Sequence, residues 1–502
     1  MPTTIYFLTV STVALGASFQ FYSFGVINPS QQVLERWINE SIASRNNGHG
    51  LGAASLTVLW SFTSASMSVG AAVGCLLMHS LTARLGRCNG LIANGVLNVL
   101  SGLLEILAKP FRSPELLIVG RIGYGLCMGV ASGLVPMYLM EISATEFRGA
   151  TGTAHQIACA FSEWFSLFVG LPQILGGSLA WPAALAFPAV PALAMCIVLP
   201  FLPESPRYLL LTKHDRVAAS GAAARLLGAE RHTAFMDSLR REYIKENAHL
   251  SPEPTSVCQL LQCRPLRRPL KLSFVIMIAQ QFTGCAAVFA YSTDMFIEAG
   301  LSPVAVRYYP GDRHRLFRLP PSSPYLIERR GRRFVPLTQL CGCAVCLCAL
   351  SAAIFVRDTF AQQWASYVGV ASLVAYMCIY GVGSPIPWLI TSELFTQQHR
   401  PAAVTLSTLV AWSISFVVAV AYLPFKQFVG GAYSFLPFIV ILVIAIWYLY
   451  RYLPETRNRP VEEIMGELTA FADDPLLNEN EFAPIYDYDK ILIVPIGEHE
   501  LN

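Results

Sequence analysis

Five side chains that could bind a hydroxyl-rich solute lie inside long apolar stretches. A glutamine amide both donates and accepts hydrogen bonds, as a sugar hydroxyl requires, and burying it without a partner is costly. A tryptophan face can stack on the apolar face of a sugar ring. Hydrogen bonding between helices and a position in the interfacial belt are the alternatives for the two residue types. The five candidates are Gln156, Gln280, Gln281, Trp388 and Trp412.

Six charged residues flank apolar stretches in a repeated arrangement. Two glutamates each precede an arginine by seven positions, and two further arginines belong to short arginine-rich sequences. A glutamate near one helix can pair with an arginine of a neighbour, and opening that side of the protein would break such pairs. We predict an inter-helix gating network; solvated charge that only sets topology is the alternative. Its members are Arg84, Glu141, Arg148, Arg332, Glu393 and Arg400.

Catalytic chemistry is not indicated. The chain shows no nucleophile–base set and no phosphate-binding loop, so we predict no enzymatic activity, no catalytic residue and no cofactor. Four cysteines occur at positions 341, 343, 346 and 348. Residues two apart on a helix point about 200° apart, so the four cannot face one ion, and we predict no metal site.

The composition is that of a membrane protein. Hydrophobic residues make up 54% of the chain and charged residues only 13%, whereas soluble domains carry about 25% charged residues. The net charge of +3 is too small to imply nucleic acid as a partner. The lipid bilayer is the expected surrounding.

Eleven stretches are long and apolar enough to span a bilayer, which takes about 20 residues. A long polar segment, 203–268, follows the sixth span. Between Arg207 and Lys271 the chain has twelve basic against six acidic residues, which places this segment in the cytoplasm by the positive-inside tendency. The spans lie near 5–28, 55–80, 89–108, 115–140, 152–175, 181–202, 269–297, 335–356, 364–392, 402–424 and 433–453.

Repeated motifs indicate that the chain consists of two related halves. The two Glu-x6-Arg sequences are 252 residues apart. The sequences at 203–207 (PESPR) and 454–457 (PETR) are 251 apart, and those at 84–87 (RLGR) and 330–333 (RGRR) about 246 apart. Repeated halves with a substrate site between them are a known transporter architecture.

This set of motifs resembles the facilitative hexose transporters of the sugar-porter branch, within the major facilitator superfamily. The similarity covers about residues 8–465. The remaining motifs that carry it are GVIN at 25–28, GR at 120–121, QQFTG at 280–284 and PIPW at 385–388.

The resemblance implies an all-α membrane protein with the major-facilitator fold. Its two six-helix bundles would be joined by a cytoplasmic helical domain, and it would work by alternating access with a sugar as substrate. The family places substrate contacts at the three glutamines and often glycosylates the first loop, where Asn39 begins a sequon. The expected domains are 1–202, 203–268, 269–458 and a cytoplasmic, disordered tail at 459–502.

Departures from the family pattern leave the transported solute open. Ala286, Tyr380 and Ala411 replace polar residues of the family, so glucose, fructose, another hexose and a different small polar solute all remain candidates. Proton-coupled relatives place a carboxylate in the first span, where this chain has Ser23. We therefore predict uniport rather than proton symport.

The stretch expected to form the eighth helix, 304–325, is anomalous. Its four arginines would cost roughly 10–14 kcal/mol near mid-bilayer, so it is not a credible span. Topology nevertheless requires a span here, because without one the later arginines would face outside. We hypothesise that residues 307–322 reflect a shifted reading frame or a splicing error, which sequencing of the transcript tests.

The predicted protein is a multi-pass membrane protein, placed at the plasma membrane with both termini in the cytoplasm. Two rival functions remain beside transport: a sugar sensor that does not transport, and an inactive paralogue. The sequence makes no prediction of oligomeric state.

Overall fold

The computed structural model describes residues 3–144, 147–228, 232–248, 257–263, 266–288, 331–360, 362–384, 386–395, 399–456, 459 and 461–470. Every regular element in these ranges is a helix. The anomalous stretch at 304–325 lies outside them.

The first half contains the spans that precede the polar segment. A 3₁₀ turn at Phe19–Phe21 joins the first two helices into one continuous span. The helices are α1 (Thr4–Ser18), α2 (Tyr22–Gly25), α3 (Ile27–Arg45), α4 (Ala53–Leu85), α5 (Arg87–Ala108), α6 (Pro114–Glu141), α7 (Arg148–Val169), α8 (Trp181–Ala186) and α9 (Ala189–Val198).

Short helices occupy the polar segment between the halves. They are α10 (Pro206–Leu211), α11 (Arg216–Leu227), α12 (His232–Ala248) and α13 (Val257–Gln262). The start of the chain packs against α11, because the Thr3 hydroxyl donates to the carbonyl oxygens of Arg225, at 2.7 Å, and Leu226, at 2.8 Å. The amino terminus and this helical segment therefore lie on the same side of the protein.

The second half repeats the pattern of long helices. They are α14 (Arg267–Phe282), α15 (Phe334–Phe360), α16 (Gln363–Gly383), α17 (Ile386–Glu393), α18 (Arg400–Val429), α19 (Leu436–Tyr452) and α20 (Val461–Ala470). The last of these corrects the prediction that the tail is disordered from its start. Ile464 and Leu468 are four residues apart on one face of α20, and both are buried in the core.

Ten helices of the described residues are long and apolar enough to cross a membrane, which agrees with ten of the eleven predicted spans. The predicted span at 152–175 coincides with α7, which is not among the ten. Polar residues of α7, including His155, Gln156 and Glu163, lower its hydropathy. Three of its side chains, His155, Ser162 and Ser166, are nevertheless buried among neighbouring helices.

Glycines bring α4 and α6 into backbone contact. A Cβ at Gly125 would lie 1.9 Å from the carbonyl oxygen of Met67, and one at Gly70 would lie 2.0 Å from that of Ile122. No larger residue fits at either position without moving a helix. Small residues that allow this close approach are a common way to pack membrane helices.

We expect Gly125→Ala to destabilise the protein by about 3 kcal/mol, because the added methyl overlaps a backbone carbonyl of α4 that cannot rotate away. The measurement is the melting temperature of the detergent-solubilised protein. Gly221→Ala is the matched control, since nothing lies within 4 Å of a Cβ at Gly221. In α11 that change should be neutral or stabilise by up to about 1 kcal/mol. Equal effects of the two changes would contradict the packing argument.

The two halves meet along α4 and α18, which run antiparallel. Near one end Gln427 donates a 2.8 Å hydrogen bond to Thr57. Further along, the Ser68 and Ser415 hydroxyls are 3.3 Å apart. Side chains near mid-span, including Trp412, continue the contact. The central polar residues of the chain lie beside this interface.

Candidate substrate site and charge brackets

Two predicted substrate residues, Gln280 and Gln281, are buried near the end of α14, with 1% and 5% of their surfaces exposed. Gln339 of α15 donates a 3.1 Å hydrogen bond from Nε2 to Oε1 of Gln280. In the described part of the chain, Nε2 of Gln280 and Oε1 of Gln339 have no hydrogen-bond partner. One donor and one acceptor are thus left for a hydroxyl group, which can both accept and donate.

Gln281 is held by a neighbour on its own span. Its Oε1 accepts a 3.5 Å hydrogen bond from the Cys285 thiol. Tyr380 of α16 is only partly buried, and its ring stacks on Tyr376 with centroids 6.0 Å apart. Cys285 and Tyr380 interact electrostatically, so both line the same region as Gln281.

The predicted tryptophans form an aromatic group where the halves meet. The rings of Trp388 and Trp412 are 6.3 Å apart between centroids. Trp412 is 7% exposed and stacks on Phe24 of the first half at 6.0 Å. It also packs with Met67 and Met128, whereas Trp388 stays half-buried. The pair therefore lies in the interior, away from an interfacial belt.

Gln156 differs from the other glutamines because its side chain is exposed on α7. The preceding residue, His155, is buried and lies 2.7 Å from the Ser18 hydroxyl. The two neighbours thus face opposite ways. Gln156 is not engaged in the packing of the first half, which leaves its amide accessible.

At the cytoplasmic ends of the first-half spans, four residues form what we call the first bracket: Arg87, Glu141, Glu204 and Ser205. Arg87 pairs with Glu141 at 2.8 Å, and the Ser205 hydroxyl donates to Glu141 at 2.5 Å. Glu204 accepts from the backbone N–H of Cys88 at 3.0 Å. Burial raises the pKa of the Glu204 carboxyl, and the hydrogen bonds it accepts act against that rise. The bracket ties α5, α6 and the segment after α9 together.

The second bracket has the same construction and consists of Arg332, Glu393, Glu455 and Thr456. Arg332 pairs with Glu393, and the Thr456 hydroxyl donates to Glu393 at 2.7 Å. Glu455 accepts from the backbone N–H of Arg332 at 2.8 Å and from that of Arg333 at 3.1 Å. The four residues correspond one to one with the first bracket, so the duplication extends to individual hydrogen bonds.

A glycine precedes the arginine of each bracket. Gly86 and Gly331 have φ angles of +86° and +90°, which side chains rarely adopt. A Cβ at Gly331 would also lie 2.7 Å from a carboxylate oxygen of Glu455. Glycine therefore allows the backbone N–H groups that follow it to reach the carboxylate.

The predicted network residues are distributed unevenly over the brackets. Glu141, Glu393 and Arg332 belong to them, but each ion pair stays within one half. In the first half Arg87 contacts Glu141, whereas Arg84 is exposed and no ion pair involves it in the described part of the chain. Aligning Gly86 with Gly331 would have selected Arg87.

The two remaining arginines of the predicted network begin helices. Arg400 donates to the carbonyl oxygen of Phe395 at 3.3 Å, at the start of α18. Arg148 begins α7, and its side chain lies outside the described residues.

Asn39 lies on α3 rather than in a loop, and its side chain is partly exposed. Its Oδ1 accepts a 2.8 Å hydrogen bond from the backbone N–H of Leu51. We expect glycosylation here, so Asn39→Gln should lower the apparent mass of protein made in cells that glycosylate. Asn46→Gln, outside any sequon, is the control; an unchanged mass for Asn39→Gln would refute the site.

Comparison with known proteins identifies the family. Residues 9–468 match the family model described as "Sugar (and other) transporter". The chain belongs to this sugar transporter family.

Relatives within this family match over nearly the whole chain. The human facilitated glucose transporter member 4 is 36% identical over 487 residues, covering 95% of this chain and 92% of that protein. Member 1 from Gallus gallus is 34% identical over 460 residues, covering 91% and 92%. These proteins are transporters, which agrees with the prediction that the chain is not an enzyme.

A solved structure shares the fold. The inward-open xylose transporter XylE from E. coli superposes with a TM-score of 0.73 over 92% of this chain and 99% of its own, at 19% identity. XylE is described as a major facilitator superfamily protein. This sugar transporter therefore has the predicted all-α major-facilitator fold and is a multi-pass membrane protein.

Proposed function

We propose that the chain is a facilitative uniporter of a hexose that works by alternating access. The observation that carries the proposal is the unsatisfied amide pair of Gln280 and Gln339, buried beside the Trp388–Trp412 group where the halves meet. A hexose offers adjacent hydroxyls for the amides and an apolar ring face for an indole. The names of the relatives, facilitated glucose transporters, support this class of solute.

Alternating access is supported by the arrangement of the brackets. Each one joins helix ends of a single half, so each half is fastened as a unit. The halves themselves meet through apolar side chains and neutral hydrogen bonds along α4 and α18. Contacts of this kind can slide or rock without breaking an ion pair.

The direct test is tracer flux in proteoliposomes with D-glucose and D-fructose. We expect saturable uptake that needs no ion gradient and exchanges in both directions. Flux should be compared for the chain as printed and for the chain read from its sequenced transcript, since 307–322 is the anomalous stretch. Binding without flux in both versions would refute transport and favour the sugar sensor; neither binding nor flux would favour the inactive paralogue.

Proton symport is the second candidate because of a carboxylate in α5. Glu105 is 1% exposed, and its Oε1 has no hydrogen-bond partner in the described residues. It interacts electrostatically with Arg121, which donates to the carbonyl oxygen of Ser23 at 3.2 Å. Buried charges in membrane helices often mark proton relays.

An imposed pH gradient separates uniport from symport. Under the proposed uniport, an inward proton gradient leaves the steady-state accumulation of D-glucose or D-fructose at equilibrium. Accumulation above equilibrium that disappears in Glu105→Gln would establish symport instead.

The plasma membrane and cytoplasmic termini are part of the same proposal. The hydrogen bonds of Thr3 to α11 support one side for the amino terminus and the basic segment between the halves. Antibody access to an amino-terminal tag before and after permeabilising cells tests this orientation.

A further inference from the structure

Glu163 is a carboxylate near the middle of α7, a helix packed into the first half. Its side chain is only partly buried, although α7 lies inside a membrane bundle. A carboxylate in the membrane interior is expensive, and such residues face a bundle interior or an aqueous cavity rather than lipid. Its position calls for a function.

The helical register places Glu163 on the face of α7 that carries Gln156. The two residues are seven apart, which is two helical turns and a difference of about 20° in direction. The side chain of Gln156 is exposed, as is part of that of Glu163, while Ser162 and Ser166 between other helices are buried. One polar, accessible stripe thus runs along α7.

This stripe faces the second half at the candidate site. The Glu163 carboxylate interacts electrostatically with both Cys285 and Tyr380. Cys285 in turn donates to Gln281. Glu163 therefore lies across the gap from the buried amides, on the opposite wall of the same region.

No counter-charge accounts for Glu163 within the described part of the chain. Glu141 and Glu393 each pair with an arginine, and Glu105 faces Arg121. For the Glu163 carboxylate the described residues supply neither an ion pair nor a hydrogen bond. Its acceptor oxygens are directed to a partly accessible space instead of a structural partner.

We propose that the Glu163 carboxylate accepts hydrogen bonds from hydroxyls of the transported solute, an assignment that rests on the proposed function. An ionised carboxylate only accepts, and its two oxygens match two adjacent hydroxyl donors. The glutamines of α14 and α15 offer both donors and acceptors, so they tolerate either role of a hydroxyl. Glu163 thereby selects solutes that carry hydroxyl donors at the positions it contacts.

Fluorine substitution of the solute tests this assignment, because fluorine can accept a hydrogen bond but cannot donate one. The probes are D-glucose and D-fructose with their monodeoxyfluoro derivatives, measured as kcat/KM for proteoliposome flux. At the contacted positions we expect the fluoro derivative to be about 10- to 100-fold poorer with the natural chain. In Glu163→Gln this penalty should fall to about threefold or less, because the amide Nε2 can donate to fluorine.

Two further variants distinguish contact from a structural effect. Glu163→Asp keeps an acceptor-only group, so the fluorine penalty should persist even if KM rises. Glu105→Gln makes the same chemical change at another buried carboxylate and should leave the penalty unchanged. A penalty that is the same in Glu163→Gln as in the natural chain would overturn this inference alone. Absence of flux for both hexoses would overturn the proposed function and this inference with it.

Discussion

Glu393→Gln is expected to reduce transport by about 10-fold or more. The change keeps the shape of the side chain but removes the charge that Arg332 faces and weakens the hydrogen bond from Thr456. Charge-assisted hydrogen bonds contribute about 1.5–3 kcal/mol, and 1.4 kcal/mol corresponds to a factor of ten in rate. The measurement is initial uptake per molecule of protein at the cell surface.

The matched comparison is Glu141→Gln in the first bracket, which should lower transport to a similar extent because the contacts are equivalent. Arg451→Gln, an exposed residue at the end of α19, should change uptake by less than about twofold. Exchanging the two charges, with Arg332→Glu and Glu393→Arg together, should restore part of the activity. A double exchange as inactive as its single changes would contradict direct pairing.

Gln280→Leu should lower kcat/KM for the transported hexose by about 10- to 100-fold. Leucine has a similar volume but offers no hydrogen bond, and a site that loses one polar contact loses about 1–3 kcal/mol. Gln339 loses its acceptor at the same time, so some loss of stability accompanies the change. Flux and melting temperature should therefore be measured together.

A double variant separates the two effects of that change. With Gln280→Leu and Gln339→Leu together, no amide is left without a partner, so the melting temperature should recover to or above that of the natural chain. Transport should stay low, because the groups that would bind the solute are gone. Recovery of transport along with stability would show that the pair is structural.

The spans could be predicted because their signal is local. About 20 consecutive apolar residues are sufficient to indicate a membrane helix, whatever surrounds them. Two helices with weaker signals were assigned differently: α3, where the sequence predicts a loop, and α20, where it predicts disorder. Both are polar on most of their surface and depend on a few buried residues, such as Leu34 and Ile38 of α3. Tertiary packing rather than composition determines these helices.

The candidate site could be predicted in residue type but only partly in partners. The sequence identifies Gln280 as a buried amide, because it lies in an apolar run. That Gln339 is its partner depends on how α14 and α15 are rotated against each other, which a single sequence does not encode locally. Glu163 escaped notice for a similar reason: its importance follows from what α7 faces. Arg87 was missed because the arginines rather than the glycines of the repeat were aligned.

The order of residues in the brackets bears on how the protein is made. Each bracket joins the beginning, middle and end of its half: residues 87, 141 and 204–205 in the first, and 332, 393 and 455–456 in the second. During synthesis the first bracket can close as soon as Ser205 has emerged, before any span of the second half exists. The nascent chain then carries a finished half into the bilayer, in keeping with the folding of domains as units from the amino terminus. A ribosome that stops before the last residues of a half leaves its bracket open.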